Sequence, residues 1–436
     1  MDERPAPAGY GALFRTPAYV RVFAAGIGSV GGSAIASVCL VWFVYARTGS
    51  AFAIALLGIS GLAASIAFSV FGGAWVDRAD RRRLMILADF VRAGAVALLV
   101  LDLELRGFDF PGVLAVNFVV GAFTVVFNPA EQALVPSLVP AAHVADANGL
   151  VRSSRSVAQF VGAAVAGALI VAVGPIVGIA VNAVTFAVSG SLLLGIRSAP
   201  PAPRPRAGHR AYLADIAAGF RWLYRATGLF QLTLSATIFN FCASVVGTFL
   251  VVYATEVLHG SALVFAGLLA AEVAGAAGGA LLVGRTGAAR HAGRVWVLAY
   301  GVASGAVTVA LVELPTPAVA LAVLFALGLL GGFAGTAWLT AAQLAVPREM
   351  QGRYFGIDNL GSVAIIPVAQ IGGALLIADW GVRSAYLAAG ILWFLAGLAF
   401  LAPRALAAVG APSPASRRTD GAAPGTPGSP AESRGG

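Results

Sequence analysis

Long apolar stretches follow one another along almost the whole chain, and short polar segments separate them. A helix needs about 20 consecutive apolar residues to cross the hydrocarbon core of a bilayer. Stretches of this kind occur twelve times, so we predict twelve membrane-spanning helices. They lie near residues 20–45, 51–75, 84–101, 111–130, 154–173, 175–196, 229–254, 262–283, 295–313, 317–342, 357–378 and 384–402.

The pattern within these stretches favours helices over the strands of a membrane barrel. Barrel strands alternate polar and apolar residues over about ten positions. The stretches here are continuous and rich in Ala, Leu and Gly. Composition agrees, because 59% of the residues are hydrophobic and only 11% are charged, whereas a soluble chain has about 25% charged residues. We therefore predict an all-α integral membrane protein.

The distribution of basic residues predicts the orientation in the membrane. All 28 basic residues are arginine. If successive stretches alternate in direction, every arginine except Arg47, Arg106 and Arg383 falls on the same side as the N-terminus. Because positive residues mark cytoplasmic loops, we predict that both termini are cytoplasmic. The Ala-, Gly- and Arg-rich, lysine-free composition suggests a high-GC bacterial genome, so we expect a multi-pass protein of the bacterial cytoplasmic membrane.

Several other functions are disfavoured by composition and motifs. The net charge is +9, but the arginines are spread over short loops, so no nucleic-acid partner is expected. Cys39 and Cys242 lie inside apolar stretches without neighbouring histidines, which predicts neither a metal site nor a disulfide. Residues 26–31 match GxGxxG but follow no strand, so they predict no dinucleotide cofactor. We expect no enzymatic activity and no cofactor.

The longest internal loop, 197–228, divides the chain into two halves and predicts a cytoplasmic linker. We predict an N-terminal six-helix bundle over 1–196 and a C-terminal six-helix bundle over 229–404. In both halves a Val-Pro pair lies nine residues before a glycine, as in an internal repeat. Residues 405–436 are rich in Pro, Gly, Ser and Ala, which predicts a disordered cytoplasmic tail.

The loop between the second and third stretches is the most informative segment. Residues 72–85 read GGAWVDRADRRRLM. Asp77 follows the C-terminal end of a helix, where an anion is unfavourable unless an arginine or another helix N-terminus neutralises it. Gly73 allows another backbone to approach closely. The segment could be a basic topology anchor alone, but its spacing of glycine, acid and arginines favours a functional loop.

This segment resembles the signature loop of the major facilitator superfamily. The longer string that continues through Asp89 and Arg92 resembles the drug:proton antiporter branch of macrolide-efflux and enterobactin-exporter proteins. Segments 48–50, 128–149 and 182–186 agree with the same family, and the resemblance spans roughly residues 10–405. It implies two six-helix bundles and transport by alternating access.

The resemblance also implies a role for the loop. In this superfamily the loop latches the cytoplasmic face while the cavity opens outward, and Asp77 would face the start of the eleventh stretch near Gly356. Arg78 and Arg82 would pair with nearby acids, and Asp89, Glu131 and Asp358 all remain candidates. The predicted loop latch consists of Gly73, Asp77, Arg78, Arg81 and Arg82.

Two departures from the family pattern limit this inference. Antiporters often carry Gly-Pro in the fifth helix, where this chain has Gly162 and Ala163. The equivalent loop of the second half, 284–287, lacks the acidic residue. The first departure weakens the prediction of antiport, and the second suggests that only the N-terminal half keeps the complete loop.

Glu272 is the outstanding single residue because it lies near the middle of the eighth stretch. A carboxylate at that depth costs at least about 2–3 kcal/mol and rarely faces lipid. Helical spacing places it on one face with Gly275 and Gly279, a face suited to packing or to a cavity. A desolvated carboxyl group suits reversible protonation, which predicts proton coupling. The alternative is a structural carboxyl group bound to a neighbouring helix.

Besides Glu272, the predicted membrane-spanning stretches contain a few polar side chains, mainly Asn and Gln amides. The family fold implies that the stretches carrying them line the cavity, although each amide could equally join two helices. Trp338 could stack on a substrate or serve packing alone. The predicted cavity residues, besides Glu272, are Asn117, Gln159, Asn240 and Gln370.

These observations predict a secondary exporter of a small, hydrophobic or amphipathic molecule, such as a drug, antibiotic or siderophore-like compound. Export would exchange the substrate for protons, and the protein would function as a monomer in the lipid bilayer. Few charges lie in the stretches, which favours hydrophobic or weakly basic substrates. The alternative function is a lipid or lysophospholipid flippase on the same fold. A membrane sensor is disfavoured, because it would usually carry a folded soluble domain. The direction of transport could also be import.

Overall fold

The computed structural model describes residues 10–76, 80–196, 223–224, 227–286, 291–346 and 348–402. Eleven helices in this part of the chain are long and apolar enough to cross a membrane. They are α1 (Pro17–Thr48), α2 (Ala51–Val76), α3 (Arg81–Leu105), α4 (Phe110–Leu134), α5 (Val144–Val173), α6 (Pro175–Leu194), α7 (Thr227–Thr248), α8 (Ala262–Thr286), α9 (Ala292–Val295, Trp296–Ala303 and Ser304–Glu313), α10 (Pro317–Ala345) and α11 (Arg348–Leu401).

The helical bundle is therefore confirmed, and α11 spans the last two predicted helices, 357–378 and 384–402, on either side of a break. It contains 54 residues and is interrupted at Gly381, whose φ of 77° and ψ of 166° are not helical. Gln370 before the break bonds to Thr248, while Tyr386 after it bonds to the carbonyl of Val246. A straight helix would separate positions sixteen residues apart by about 24 Å. The two arms of α11 must therefore lie side by side against α7.

Local sequence explains several of the helix ends. Gly49 has the left-handed φ of 57° that ends α1, and its N–H donates to the Tyr45 carbonyl. Asp80 is the N-cap of α3, and its carboxylate accepts hydrogen bonds from the N–H groups of Arg82 and Arg83. Gly174 has a φ of 89° and separates α5 from α6. These turns keep consecutive helices antiparallel across the membrane.

The described chain contains two π-helical segments that hydrophobic patterning does not reveal. The chain continues from α7 through Leu250–Val252 into a π-helical segment at Tyr253–Val257. The middle of α9 is π-helical over Trp296–Ala303. Segments of this kind insert an extra residue per turn and often occur at functional sites.

Small residues allow α8 and α10 to pack with their backbones in contact. Gly275 lies against the carbonyl of Phe325, and Gly279 lies against the carbonyl of Leu329. In return, Gly328 of α10 lies against the backbone carbonyl of Glu272. The glycine face of α8 therefore serves helix packing, which is one of the two roles that its spacing predicts.

The helices form an N-terminal set, α1–α6, and a C-terminal set, α7–α11. We call the end of the bundle that holds Arg82, Arg155 and Arg285 the basic end, and the end that holds Thr48 and Gly381 the opposite end. Most of the predicted linker, 197–228, lies outside the described residues. The predicted tail, 405–436, also lies outside them. The space between the two sets contains the candidate site.

Candidate substrate cavity

A cavity of about 630 Å³ lies between the two sets of helices. Its walls come from α1, α2, α3, α4 and α6 on one side and from α7, α8 and α11 on the other. A volume of this size is typical of sites for small organic molecules. Both sets therefore contribute to one shared site rather than to separate pockets.

The opposite end of this cavity is closed by contacts between the two sets. The Tyr45 hydroxyl of α1 donates a 2.6 Å hydrogen bond to the Glu256 carboxylate beyond α7. One layer deeper, the Trp42 ring stacks on the Phe265 ring with 6.2 Å between centroids. Gly167 of α5 packs against α8 at the same end. The two sets of helices are thus in direct contact at the opposite end.

Seven uncharged polar side chains line the cavity, and no described lining residue is charged. The remaining lining is largely aliphatic, with Phe265 as its aromatic ring. Two of the predicted cavity residues, Asn117 and Gln370, belong to the lining. The polar lining residues are Ser33, Ser37, Ser65, Asn117, Asn182, Thr248 and Gln370.

Among the described lining residues, only Gln370 has a buried polar atom without a hydrogen-bond partner. Only 7% of its surface is exposed, and its Nε2 donates to the Thr248 hydroxyl at 3.3 Å. Its Oε1 is buried and has no hydrogen-bond partner in the described structure. The amide lies directly against Gly58 of α2, so the two sets of helices meet at this side chain.

The amides of Asn117 and Asn182 are held by neighbouring helices. Asn117 donates from Nδ2 to the Leu57 carbonyl at 2.9 Å and to the Ser60 hydroxyl at 2.8 Å. Asn182 accepts at Oδ1 from the Ser33 hydroxyl at 3.4 Å and is 3% exposed. Both residues therefore combine an interhelical role with a position in the cavity wall, and for Asn117 these are the two roles that sequence leaves open.

Three predicted cavity residues lie outside this lining. Asn240 donates from Nδ2 to the Ser362 hydroxyl at 3.1 Å and so joins α7 to α11. Gln159 is exposed on α5. Glu272 is half-buried on α8 beside the α10 contact, and no described residue makes a hydrogen bond or ion pair with its carboxylate. The structure thus separates the mid-membrane carboxylate from the neutral cavity.

Part of the predicted loop latch can be placed. Arg81 donates to the Ala133 carbonyl at the end of α4, at 3.0 Å. Arg82 donates to the carbonyls of Leu193 and Leu194 at the end of α6, at 2.9 and 2.6 Å. Cationic side chains at helix C-termini complement the exposed carbonyls. Asp77 and Arg78 lie outside the described residues, and Gly73 is described only as part of the α2 backbone.

The three acids considered as partners of the loop arginines have other surroundings. Arg82 bonds to backbone carbonyls rather than to any of them, because the α6 C-terminus lies next to the start of α3. Asp89 pairs with Arg92 one turn away, and Glu131 accepts a 2.5 Å bond from Arg155 of α5. Asp358 is 8% exposed, and its Oδ1 is buried without a partner in the described structure.

The Asp89–Arg92 pair is almost completely buried inside the N-terminal set. The two residues are 0% and 2% exposed, and the Ser189 hydroxyl donates to the second Asp89 oxygen at 2.6 Å. The Arg92 guanidinium lies over the rings of Phe127 and Phe186, at 4.6 and 4.2 Å from their centroids. These contacts join α3 to α4 and α6, so the sequence string shared with the family branch forms a buried clamp.

Together, a bundle of membrane-length helices and a small-molecule cavity between two sets define a polytopic membrane protein of the transporter type. Residues 22–369 match the model of the Major Facilitator Superfamily. The match covers most of the chain, and the chain belongs to the Major Facilitator Superfamily, a family of transporters rather than enzymes. The resemblance of the loop sequence to this family is therefore confirmed.

Curated relatives include efflux proteins. The chain is 29% identical over 213 residues to Macrolide efflux protein A of Streptococcus pyogenes, covering 48% of this chain and 52% of that protein. It is 26% identical over 234 residues to the Multidrug efflux pump Tap of Mycobacterium tuberculosis, covering 51% and 55%. The chain thus matches about half the length of these relatives.

Solved structures confirm the fold. The nucleoside transporter NupG aligns with a TM-score of 0.69 at 10% identity, covering 88% of this chain and 98% of that one. A bacterial homologue of the iron transporter ferroportin in an inward-facing state aligns with a TM-score of 0.68 at 14% identity, covering 90% and 100%. At these identities the likeness concerns the fold alone.

Proposed function

We propose that this protein is a secondary exporter that moves a small hydrophobic or amphipathic molecule out of a bacterial cell by alternating access. The observation that carries the proposal is the cavity of about 630 Å³ between the two sets of helices, closed at the opposite end by Tyr45 and Glu256. Transporters of this architecture bind substrate between two bundles and rock them around the site. The efflux relatives support export rather than import or lipid flipping.

The orientation follows from the arginines. The basic end would face the cytoplasm, with both termini and the 197–228 linker on that side. The structure would then be closed toward the outside, in the arrangement that receives substrate from the cytoplasm. One cavity lies within one chain, so a monomer is sufficient for transport.

Proton exchange is the proposed source of energy, and Glu272 is the proposed coupling residue. It lies deep in α8, and no described side chain neutralises its carboxylate. An ionised carboxylate without a partner is costly at that depth, so protonation would change which packing of α8 is favoured. Coupling would then act through the α8–α10 contact rather than through direct competition in the cavity lining.

The loop latch is the proposed conformational control. Arg81 and Arg82 fix the start of α3 to the ends of α4 and α6, so the loop moves with the N-terminal set. Asp77 is then available for the C-terminal set when the basic end closes. In this proposal the predicted bundles 1–196 and 229–404 act as the two moving bodies.

Purified protein in proteoliposomes tests the export proposal. Vesicles loaded with unlabelled efflux substrates, such as erythromycin and chloramphenicol, are assayed for counterflow uptake of the labelled compound, with and without a proton gradient. We expect saturable counterflow for at least one compound and faster accumulation when a gradient is imposed. Rates equal to those of empty liposomes across an efflux-substrate panel would contradict export. Counterflow without any response to the gradient would contradict proton coupling only.

A further inference from the structure

The chemistry of the cavity wall restricts the substrates that this site can accept. Its described lining contains seven polar side chains, all of them hydroxyls or amides, and no carboxylate or basic group. A permanent ion that enters such a site loses hydration and gains no counter-charge, which costs several kcal/mol. An uncharged molecule loses much less. The wall therefore favours uncharged ligands.

Within this neutral wall, Gln370 offers one unused hydrogen-bonding group. Only 7% of the Gln370 surface is exposed, and its Oε1 has no hydrogen-bond partner among the described residues. The two ends of an amide are distinguished only by their hydrogen bonds. Whichever way the amide is turned, Thr248 engages one end and the other end remains free. A buried polar atom without a partner is costly, so a rotation of the Gln370 side chain that exposes this end to the cavity and lets a ligand group bond to it is favoured.

The position of this amide is set by Gly58 on the facing helix. A Cβ atom at position 58 would collide with the Gln370 amide, so the absence of a side chain creates the seat for it. A similar relationship holds between Gly61 and Asn117, whose Nδ2 would lie 3.2 Å from a Cβ at position 61. The α2 surface thus accommodates two amides in the cavity wall, and only the Gln370 amide has a fully buried end without a partner.

We propose that the cavity selects uncharged, largely apolar molecules that carry a hydroxyl or amide group, and that Gln370 orients them through its free amide end. The proposal rests on the transporter function proposed above and defines the substrate class of the same cavity. Lipophilic cations are excluded from this site. Weak bases enter in their neutral form.

The experiment measures ligand binding to the full-length purified protein. Two probe panels are compared by thermal stabilisation and by competition: uncharged hydroxylated compounds including chloramphenicol, and permanent lipophilic cations including tetraphenylphosphonium. We expect stabilisation by members of the first panel and none by the second. Gln370→Met keeps the side-chain volume and removes the amide, so it should weaken binding of the uncharged probes by about tenfold, as for one hydrogen bond.

Matched variants keep the result interpretable. Gln159→Met makes the same change at an exposed position outside the lining and should leave binding unchanged. Gly58→Ala should weaken the same probes, because its methyl group displaces the Gln370 amide. Tetraphenylphosphonium binding that chloramphenicol displaces would overturn the proposal. So would a complete lack of binding in the uncharged panel, or Gln370→Met binding equal to wild type.

Transport is measured separately, so that the two proposals can fail independently. An uncharged probe that binds through Gln370 but shows no counterflow would contradict export and leave the cavity assignment standing. A permanent cation that is exported at a rate insensitive to Gln370→Met would contradict the cavity assignment and leave export standing.

Discussion

Tyr45 and Glu256 are 211 positions apart in the chain, yet the Tyr45 hydroxyl donates a 2.6 Å hydrogen bond to the Glu256 carboxylate. The bond joins the N-terminal set of helices to the C-terminal set at the end opposite the arginines. Both residues must separate if that end is to open. A hydrogen bond to a charged group contributes roughly 1.5–3 kcal/mol when buried, and this pair is only partly buried.

The first prediction concerns this bond. Tyr45→Phe removes the hydroxyl and retains the ring, so it should shift the population toward conformations that are open at the opposite end. The shift is measured as the distance between spin labels at Arg47 and Ser261, in a variant without Cys39 and Cys242. We expect a larger fraction of long distances than in the labelled wild type.

Tyr253→Phe is the matched control for that experiment. Its hydroxyl donates to the Leu311 carbonyl at 2.6 Å, within the C-terminal set alone. Removing it should leave the label distances unchanged. If Tyr45→Phe behaves like this control, the Tyr45–Glu256 bond does not hold the opposite end closed.

The second prediction concerns the loop latch. Arg82 bonds to two carbonyls of α6, whereas the neighbouring Arg83 has an 82% exposed side chain. Arg82→Gln should reduce counterflow several-fold at normal expression, and Arg83→Gln should leave it near the wild-type rate. Asp77→Asn should give an inserted protein without transport. Full transport activity of both Arg82→Gln and Asp77→Asn would show that the loop only fixes the membrane topology and does not control transport.

The third prediction concerns coupling. Glu272→Gln imitates the protonated carboxyl group with the same volume, so it should abolish gradient-driven accumulation and leave counterflow measurable. Glu104→Gln changes an exposed carboxylate at the C-terminal end of α3 and serves as the control. A Glu272→Gln protein that still responds fully to the gradient would transfer the coupling role to another buried acid, with Asp89 and Asp358 next to be tested.

The fourth prediction concerns the buried clamp. Arg92→Met leaves the Asp89 charge buried without its partner, and losing one member of a buried pair costs about 3–5 kcal/mol. The apparent melting temperature in detergent should therefore fall strongly. Arg106→Gln breaks the exposed pair with Asp102 and should change the melting temperature little. Equal effects of the two substitutions would show that the Arg92 contacts do not stabilise the fold.

The fifth prediction concerns orientation. Alkaline phosphatase and green fluorescent protein are fused in turn after Gly208 and after Arg106. The arginine distribution predicts fluorescence at Gly208 and phosphatase activity at Arg106, because these positions lie on opposite sides of the membrane. The same reporter active at both positions would contradict the proposed topology.

Sequence predicts the helices well because membrane spans have a strong compositional pattern and their ends carry specific residues. Gly49 and Gly174 end helices where the turn requires a positive φ. The break at Gly381 is less visible in the sequence, because a single glycine with non-helical φ and ψ forms it. Hydrophobic patterning therefore locates the two helical arms of α11 on either side of Gly381.

The site is harder to predict from sequence. The position of a polar residue in an apolar stretch gives its depth in the membrane, but it does not say whether the side chain faces the cavity or a neighbouring helix. Glu272 and Asn240 have suitable depth, yet they lie outside the cavity lining. Asn182 of α6 is not among the predicted cavity residues, but it forms part of the wall. Its place in the family-like segment 182–186 was the available signal. Directions of this kind depend on helix rotation, which packing against neighbours determines.

The contact between Gln370 and Gly58 has a consequence for the release of substrate. A molecule held by the free end of the Gln370 amide also rests against α2, which belongs to the other moving body. When the two sets separate there, the molecule loses one wall while its hydrogen bond becomes accessible to water. The same site would therefore bind tightly in one conformation and weakly in the other, without any change in the charge of its lining.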